Sequence, residues 1–165
     1  MISIKEAGLK DLPVINTLAH VIWPAAYREI LSPDQLKYML NKIYALTFLE
    51  NQFLNLHHNF IIAYDENVPV GFASFSPKEE DILVFRLHKI YVLPSQQGSG
   101  TGKMLLDYLI NAIKKQGATV LTLNVNRYNK ARYFYEKRGF TISGEVDIDI
   151  GEGFYMNDYI MELSF

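Results

Sequence analysis

One stretch concentrates the chemistry this sequence can do: Leu87-His88-Lys89-Ile90-Tyr91-Val92-Leu93-Pro94-Ser95-Gln96-Gln97-Gly98-Ser99-Gly100-Thr101-Gly102-Lys103-Met104-Leu105-Leu106. An apolar strand runs into a glycine-rich loop, and the loop opens directly into a helix. Glycine has no Cβ, so its backbone N–H can approach a ligand closely and its φ can turn positive. The following helix adds unpaired N–H groups and about half a positive charge at its first turn. Together these parts describe a pyrophosphate site; a tight structural turn is the plainer reading of the glycines alone. Two common phosphate motifs do not fit. A P-loop needs Gly-x4-Gly-Lys-Ser/Thr, but Lys103 is followed by Met104 and the first glycine falls at the wrong spacing. A dinucleotide fingerprint, Gly-x-Gly-x-x-Gly, begins at Gly98 and meets Lys103 where its third glycine belongs.

The elements that must position this segment follow from patterning. Ile2 to Ala7 alternates like a strand. Asp11 reads as an N-cap with Pro13 just inside it, opening a helical stripe from Leu12 to Tyr27 that Trp23-Pro24 should kink or break. Ser32 caps a second helix with Pro33 at its first position and Leu36, Met39, Leu40 and Ile43 on one face. Asn59–Tyr64 and Val70–Phe75 read as a hairpin around Asp65-Glu66-Asn67, and Ile82–Val92 as a long strand. Lys103–Gln116 is an amphipathic helix stopped by Gly117, Val120–Val125 a strand, and Lys130–Lys137 a short helix stopped by Gly139. Phe140–Ile150 and Phe154–Phe165 close the chain as a strand pair around Gly151-Glu152-Gly153. The expected order is β-α-α-β-β-β-α-β-α-β-β, an α/β chain of α+β type with a mixed central sheet of about six to seven strands flanked by helices.

The 165 residues suit a single domain spanning 1–165, and 49% apolar with 21% charged residues suits a globular core. With no cysteine there are no disulfides, thiolate metal sites or cysteine nucleophiles, which suits a reducing cytoplasm. Met1 to Glu6 does not read as a signal peptide, and no uncharged apolar run approaches the roughly 18–20 residues of a membrane span. A net charge of −2 gives no general pull toward nucleic acid, so neither nucleic acid nor membrane is expected as a partner. The charge is uneven, however. From Arg86 to Arg138 the basic residues are opposed only by Asp107 and Glu136, whereas Thr141 to Phe165 carries acidic residues and no Lys or Arg. Solvated faces explain such runs plainly; an anion site in the centre and a cation-attracting surface at the end are the sharper reading.

Gln/Arg-x-x-Gly-x-Gly/Ala does fit, met by Gln97-Gly98-Ser99-Gly100-Thr101-Gly102. On this motif the sequence resembles the GNAT acetyltransferase superfamily. A second block, Ala131-Arg132-Tyr133-Phe134-Tyr135-Glu136-Lys137-Arg138-Gly139-Phe140, is similar to the superfamily's Ala-x-x-Phe-Tyr-x-Lys-x-Gly-Phe. The resemblance implies a GNAT fold and acetyl-CoA as acetyl donor. It implies that backbone groups of Ile90, Tyr91 and Val92 pair with the pantetheine arm. The amides of Gln97, Gly98, Ser99, Gly100, Thr101, Gly102 and Lys103 would hold the pyrophosphate. Tyr135 matches the tyrosine that protonates the departing thiolate. The superfamily often has Asn where Tyr128 stands here; Asn129, one place on, is expected to cap the helix and reach the cofactor.

The implied reaction is direct attack of a primary amine on the thioester in a ternary complex, with no covalent nucleophile. His88, just before the cofactor segment, is the expected proton acceptor, with Glu29, Asp147 and Glu152 as alternatives acting through water. His57-His58 reads as loop rather than a metal pair, and no metal is expected. Trp23 and Tyr27 read as core residues that can also line an acceptor pocket, and Asp149 and Glu152 as acidic acceptor contacts. The Trp-Pro-x-x-Tyr stretch and the Asp158-Tyr159-Ile160-Met161 ending resemble bacterial polyamine (spermidine/spermine) N-acetyltransferases, which points to a small cationic amine. A protein N-terminal or lysine acetyltransferase, a non-catalytic CoA-binding module and a purely structural domain stay open beside it, as does homodimerisation.

Overall fold

The computed structural model describes residues 1–165, in which seven strands form a mixed sheet of order β1-β2-β3-β4-β5-β7-β6. The elements are β1 (Ile2–Ala7), α1 (Leu12–Tyr27), α2 (Pro33–Tyr44), α3 (Leu46–Leu54), β2 (Asn59–Asp65), β3 (Val68–Pro77) and β4 (Val84–Val92). They continue with α4 (Thr101–Lys115), β5 (Val120–Asn126), α5 (Ala131–Glu136), β6 (Thr141–Gly151) and β7 (Phe154–Ser164). The α/β class and the mixed sheet agree with the patterning. No helix is long and apolar enough to cross a membrane. The chain divides into two compact units, Met1–Ser76 with His88–Ala112, and Pro77–Leu87 with Ile113–Phe165.

In the first unit β2 pairs antiparallel with both β1 and β3. Phe60, Ile61, Ile62 and Ala63 are all buried, as are Phe72 and Ala73. Consecutive burial explains why these strands read as continuous apolar runs rather than alternating ones. Helix α1 buries Leu12, Ile15, Leu18, Ala19, Ile22 and Trp23, spaced three and four apart. Each large side chain so removed from water contributes roughly 1.5–3 kcal/mol. Ser32 caps α2 as expected, its hydroxyl accepting from Gln35 N at 3.1 Å, with Pro33 in the first turn.

Three local expectations are corrected. Pro24 does not break α1, which runs on to Tyr27; the lost donor affects only the last turn, and burial of Trp23 and Tyr27 (3% and 5% exposed) holds the helix there. Asp11 is the N-cap residue of α1 with Pro13 in the first turn, as expected, but its side chain makes no capping bond to that helix. Asp11 Oδ2 accepts from Gly8 N at 2.8 Å and closes the preceding 3₁₀ turn. Helix α3 was not expected, so the order is β-α-α-α-β-β-β-α-β-α-β-β. Its N-cap is Ala45, which offers no side-chain acceptor, and Phe48 and Leu54 stand exposed.

In the second unit β5 pairs in parallel with the first half of β4 and antiparallel with β7, which pairs antiparallel with β6. Phe85, Leu87, Leu121, Leu123 and Met161 are nearly fully buried on one face. The β6–β7 turn is made by Gly151, Glu152 and Gly153, all with positive φ, which glycine on either side of Glu152 makes possible.

Candidate functional site

In the first unit, β4 ends in a short 3₁₀ turn, Pro94–Gln96, and the chain then enters the glycine segment. Gly98 and Gly100 have φ of 78° and 88°, conformations that other residues adopt only with strain. A Cβ added at either would meet nothing within 4 Å. Space beside two left-handed glycines is therefore open, and a phosphate group can approach the backbone there. Helix α4 begins at Thr101, so Thr101, Gly102 and Lys103 form its first turn, where N–H groups lack intrahelical partners. These residues fit a pyrophosphate on geometry as well as pattern.

The loop is tied by a residue that motif reading passed over. Gln96 Oε1 accepts from Thr101 Oγ1 at 3.0 Å and from Ser99 Oγ at 3.1 Å, while Ser99 Oγ also lies 2.6 Å from Gln96 O. Thr101 is fully buried. The hydroxyls of Ser99 and Thr101 are thus engaged in holding the loop, and Ser99 N adds to the turn by donating to Gln96 O at 3.2 Å. Lys103 pairs with Asp107 one turn on. Gln97 follows the 3₁₀ turn in extended conformation.

The strand before the loop is held closely by β3. A Cβ on Gly71 would stand 2.9 Å from Tyr91 O and from Val92 Cγ1, so only glycine permits this approach. Leu93 N donates to Val70 O at 2.8 Å. Ile90, Tyr91 and Val92 are half-buried. Tyr91 OH bonds Tyr27 OH at 2.8 Å, and Trp23 Nε1 donates to Tyr44 OH at 3.0 Å. Rings of Trp23, Tyr27, Tyr44, Phe72 and Tyr91 pack at centroid distances of 4.5–6.3 Å. Trp23 and Tyr27 are accordingly interior residues joined to the strand that follows His88.

His88 Nε2 lies 2.7 Å from Ser76 Oγ, and its ring stacks on His58 at 3.8 Å and 8°. Face-to-face stacking points the ring nitrogens along parallel planes, an arrangement unsuited to chelating one metal ion. Next to it, Lys89 was read from sequence only as one of a run of charges. It is 6% exposed, with Nζ donating to Gln52 Oε1 at 2.6 Å above the rings of Phe60 and Tyr44 at 5.6 and 5.8 Å. Burial with no carboxylate partner lowers its pKa to about 7.

In the second unit, Tyr135 is buried on α5 against Phe134 and Phe140, with ring centroids 5.3 and 5.6 Å away. Asn129 Oδ1 accepts from Ala131 N at 2.9 Å, a local turn leading into α5, whose N-cap residue is Lys130. The acidic C-terminal strands are less free than their composition implies. Arg127 Nη2 donates to Asp147 at 2.6 Å, Glu145 lies 3.9 Å from the same guanidinium, and Asp149 Oδ1 accepts from Gly151 N at 2.9 Å. Glu152 is exposed at the turn. Asp158, in contrast, is 5% exposed, and its Oδ1 has no hydrogen-bond partner. Burial raises its pKa against the opposing effects of an Asn124 hydrogen bond and the charges of Arg86 and Arg127, with Asp147 adding to the rise.

The chain is similar to known proteins in sequence and in fold. Residues 56–142 match the family model described as an acetyltransferase (GNAT) domain. Over 91 residues, 55% of the chain, it is 36% identical to the ribosomal protein bS18-alanine N-acetyltransferase of Haemophilus influenzae, and over 54% of the chain it is 32% identical to the peptidyl-lysine N-acetyltransferase YjaB of Salmonella typhimurium. These alignments cover 57% and 54% of the two relatives, so the chain spans little more than half their length. The PaiA N-acetyltransferase of Thermoplasma acidophilum, solved in complex with coenzyme A, superimposes with a TM-score of 0.82 over 100% of this chain and 99% of its own, at 24% identity. That likeness is one of fold.

Proposed function

The chain belongs to the GNAT acetyltransferase family, and from that membership we propose that it moves the acetyl group of acetyl-CoA onto the amine of a peptide or protein. The observation that carries the donor half is the open backbone at Gly98 and Gly100 leading into the first turn of α4. The acceptor half is supported by the two relatives whose names specify protein amines. It is supported too by the ion pairs that already occupy Asp147 and Glu145.

Bound acetyl-CoA supplies a thioester, activated toward amines, so the chain needs no covalent nucleophile. Ile90 to Val92 bind the pantetheine arm through their backbone in this reading, and the segment from Gln97 to Lys103 binds the pyrophosphate, with Gly98, Gly100 and the first turn of α4 supplying the amides while Gln97 N and Ser99 N hold the turn through Pro94 O and Gln96 O. Asn129 orders the start of α5. An aliphatic amine titrates near 10.4, and presenting it neutral at pH 7 costs about 4–5 kcal/mol. His88, held by Ser76, is the group assigned to accept that proton, and Tyr135 the group assigned to return one to the sulfur. Trp23 and Tyr27 act through packing, by fixing Tyr91.

A polyamine acceptor is the second reading. Exposed Asp149 and Glu152 at the β6–β7 turn favour it, each worth on the order of 0.5–1 kcal/mol toward a remote ammonium and screened by salt. Thiol release from acetyl-CoA, measured against spermidine, a peptide with a free N-terminus and an N-terminally blocked lysine peptide, separates the readings. Faster release with either peptide is the expected result. Preference for spermidine, lost when Asp149 and Glu152 are neutralised, would transfer the assignment to polyamines. Absence of release with every amine would leave a CoA-binding module.

Donor binding has its own test. Gly100→Asp places a negative side chain where the backbone is open, so the fold should survive with a strain of about 1 kcal/mol from the left-handed φ. Affinity for acetyl-CoA by calorimetry should fall at least about tenfold, or 1.4 kcal/mol. Unchanged affinity in a folded variant would remove the pyrophosphate assignment.

A further inference from the structure

Glycine lets the backbone at Gly98 and Gly100 come close to a ligand, and it also carries the most conformational freedom to be lost when a loop orders. Residues 98–102 hold three glycines, so a loop of this composition keeps one shape in the free chain only if something outside the glycines fixes it. Side chains on residues 96, 99 and 101 do so. Thr101 Oγ1 donates to Gln96 Oε1 at 3.0 Å, Ser99 Oγ donates to Gln96 O at 2.6 Å, and the two hydroxyls lie 2.9 Å apart. Thr101 is fully buried and Gln96 half-buried, while Gly98, Ser99 and Gly100 are exposed. Gln96 is anchored in turn. Its N–H donates to Leu93 O at 2.8 Å, and Leu93 N donates to Val70 O at 2.8 Å. Hydrogen bonds thus run from the first turn of α4 through Gln96 and Leu93 to β3, the strand that Tyr91 and Val92 approach at Gly71.

We infer that Gln96 is a positioning residue for the acetyl donor: its side-chain amide holds the backbone of residues 98–103 in the binding conformation before acetyl-CoA arrives, and fixes that backbone relative to residues 90–92. The inference rests on the pyrophosphate reading above and adds to it a residue that acts through the loop. Ser99 alone closes the turn onto Gln96 O. The second reach, from Thr101 to Gln96 Oε1, joins the turn to the first residue of α4 and so sets how the loop enters the helix. Freedom removed in the free protein is not lost again on binding, so the order that Gln96 maintains emerges as affinity.

The test is calorimetric affinity of the whole chain for acetyl-CoA, with circular dichroism and melting temperature reporting on the fold. Gln96→Ala removes the acceptor and should weaken acetyl-CoA about tenfold. Thr101→Val removes the hydroxyl at nearly constant volume and should weaken it by a similar factor, whereas Thr101→Ser keeps the hydroxyl and should stay within about threefold of the parent. Both losses break one bond, so the double variant should bind within about threefold of the weaker single variant; independent effects would multiply to about a hundredfold. Should Thr101→Val fail to fold, Gln96→Met, which keeps the side chain's length without the acceptor, decides together with Gln96→Ala, and both should show the loss. Parental affinity in the Gln96 variants, equal weakening by Thr101→Ser and Thr101→Val, or losses that multiply in the double variant would overturn the inference. Gly100→Asp separates it from the reading beneath it. Affinity lost in Gly100→Asp but kept in Gln96→Ala removes the positioning role and leaves the pyrophosphate site, whereas affinity kept in both removes the two together.

Discussion

Tyr135→Phe should bind acetyl-CoA like the parent and lose turnover by about 10²–10³. The ring of Tyr135 is held by edge-to-face packing with Phe134 and Phe140, and its backbone carbonyl accepts from Phe140 N at 3.2 Å. Phenylalanine fills the same space, so the substitution removes a hydroxyl and little else; stability should change by about 1 kcal/mol or less. A free thiol titrates near 8.5, so at neutral pH the departing sulfur ends protonated. A positioned hydroxyl supplies that proton as the bond breaks, and its loss falls on turnover rather than on binding. Single-turnover kinetics, in which chemistry limits the rate, measure the effect. Near-parental rates there would show that water or another group serves the sulfur, while weakened acetyl-CoA binding would assign Tyr135 a packing role.

The parts of the site visible in the sequence were those in which local backbone geometry dictates residue type. Gly98 and Gly100 have the positive φ that their position between strand and helix implied, and Gly117 and Gly139 end their helices with φ of 87° and 93°. Ser32 caps α2 because a hydroxyl before Pro33 has one obvious local use. What stayed hidden depends on contacts distant in sequence. Leu-Thr-Leu-Asn-Val-Asn in β5 alternates like a strand wetted on one side, and only the pairing of β4 and β7 on its two edges shows Thr122 and Asn126 buried. The acidic tail looked uncompensated because Arg127, which pairs with Asp147, comes from before the hairpin. Gln96 looked like loop polarity until Ser99 and Thr101 were seen to converge on it. Helix α3 lacked a capping side chain and a clean apolar stripe, the two signals that reveal a short helix.

Lys89→Met should make the protein more stable at neutral pH, by roughly 2–3 kcal/mol, and should flatten the dependence of its stability on pH between 7 and 9.5. Lys89 has a pKa of about 7 in the folded chain against an ordinary 10.5. Between those values the unfolded chain binds the proton and the folded chain does not, so stability rises with pH across that window. Below pH 7 the folded protein carries a buried ammonium and bears the full penalty, on the order of 4 kcal/mol. Methionine keeps the unbranched stem and discards the charge. It also forfeits the contacts over Tyr44 and Phe60 and the bond to Gln52, whose amide nitrogen still donates to Ile43 O at 3.1 Å; that loss explains why the expected gain is smaller than the penalty. Tyr44, facing the same space, has a pKa raised chiefly by burial, so its contribution falls with pH only above about 10 and leaves the window clear. Thermal unfolding at intervals from pH 7 to 9.5 checks both statements, since 2–3 kcal/mol corresponds to roughly 4–12 °C in a chain of this size. A parent melting temperature that does not rise over that range, or a methionine variant less stable than the parent at pH 7, would mean that the Lys89 charge is compensated in the folded state.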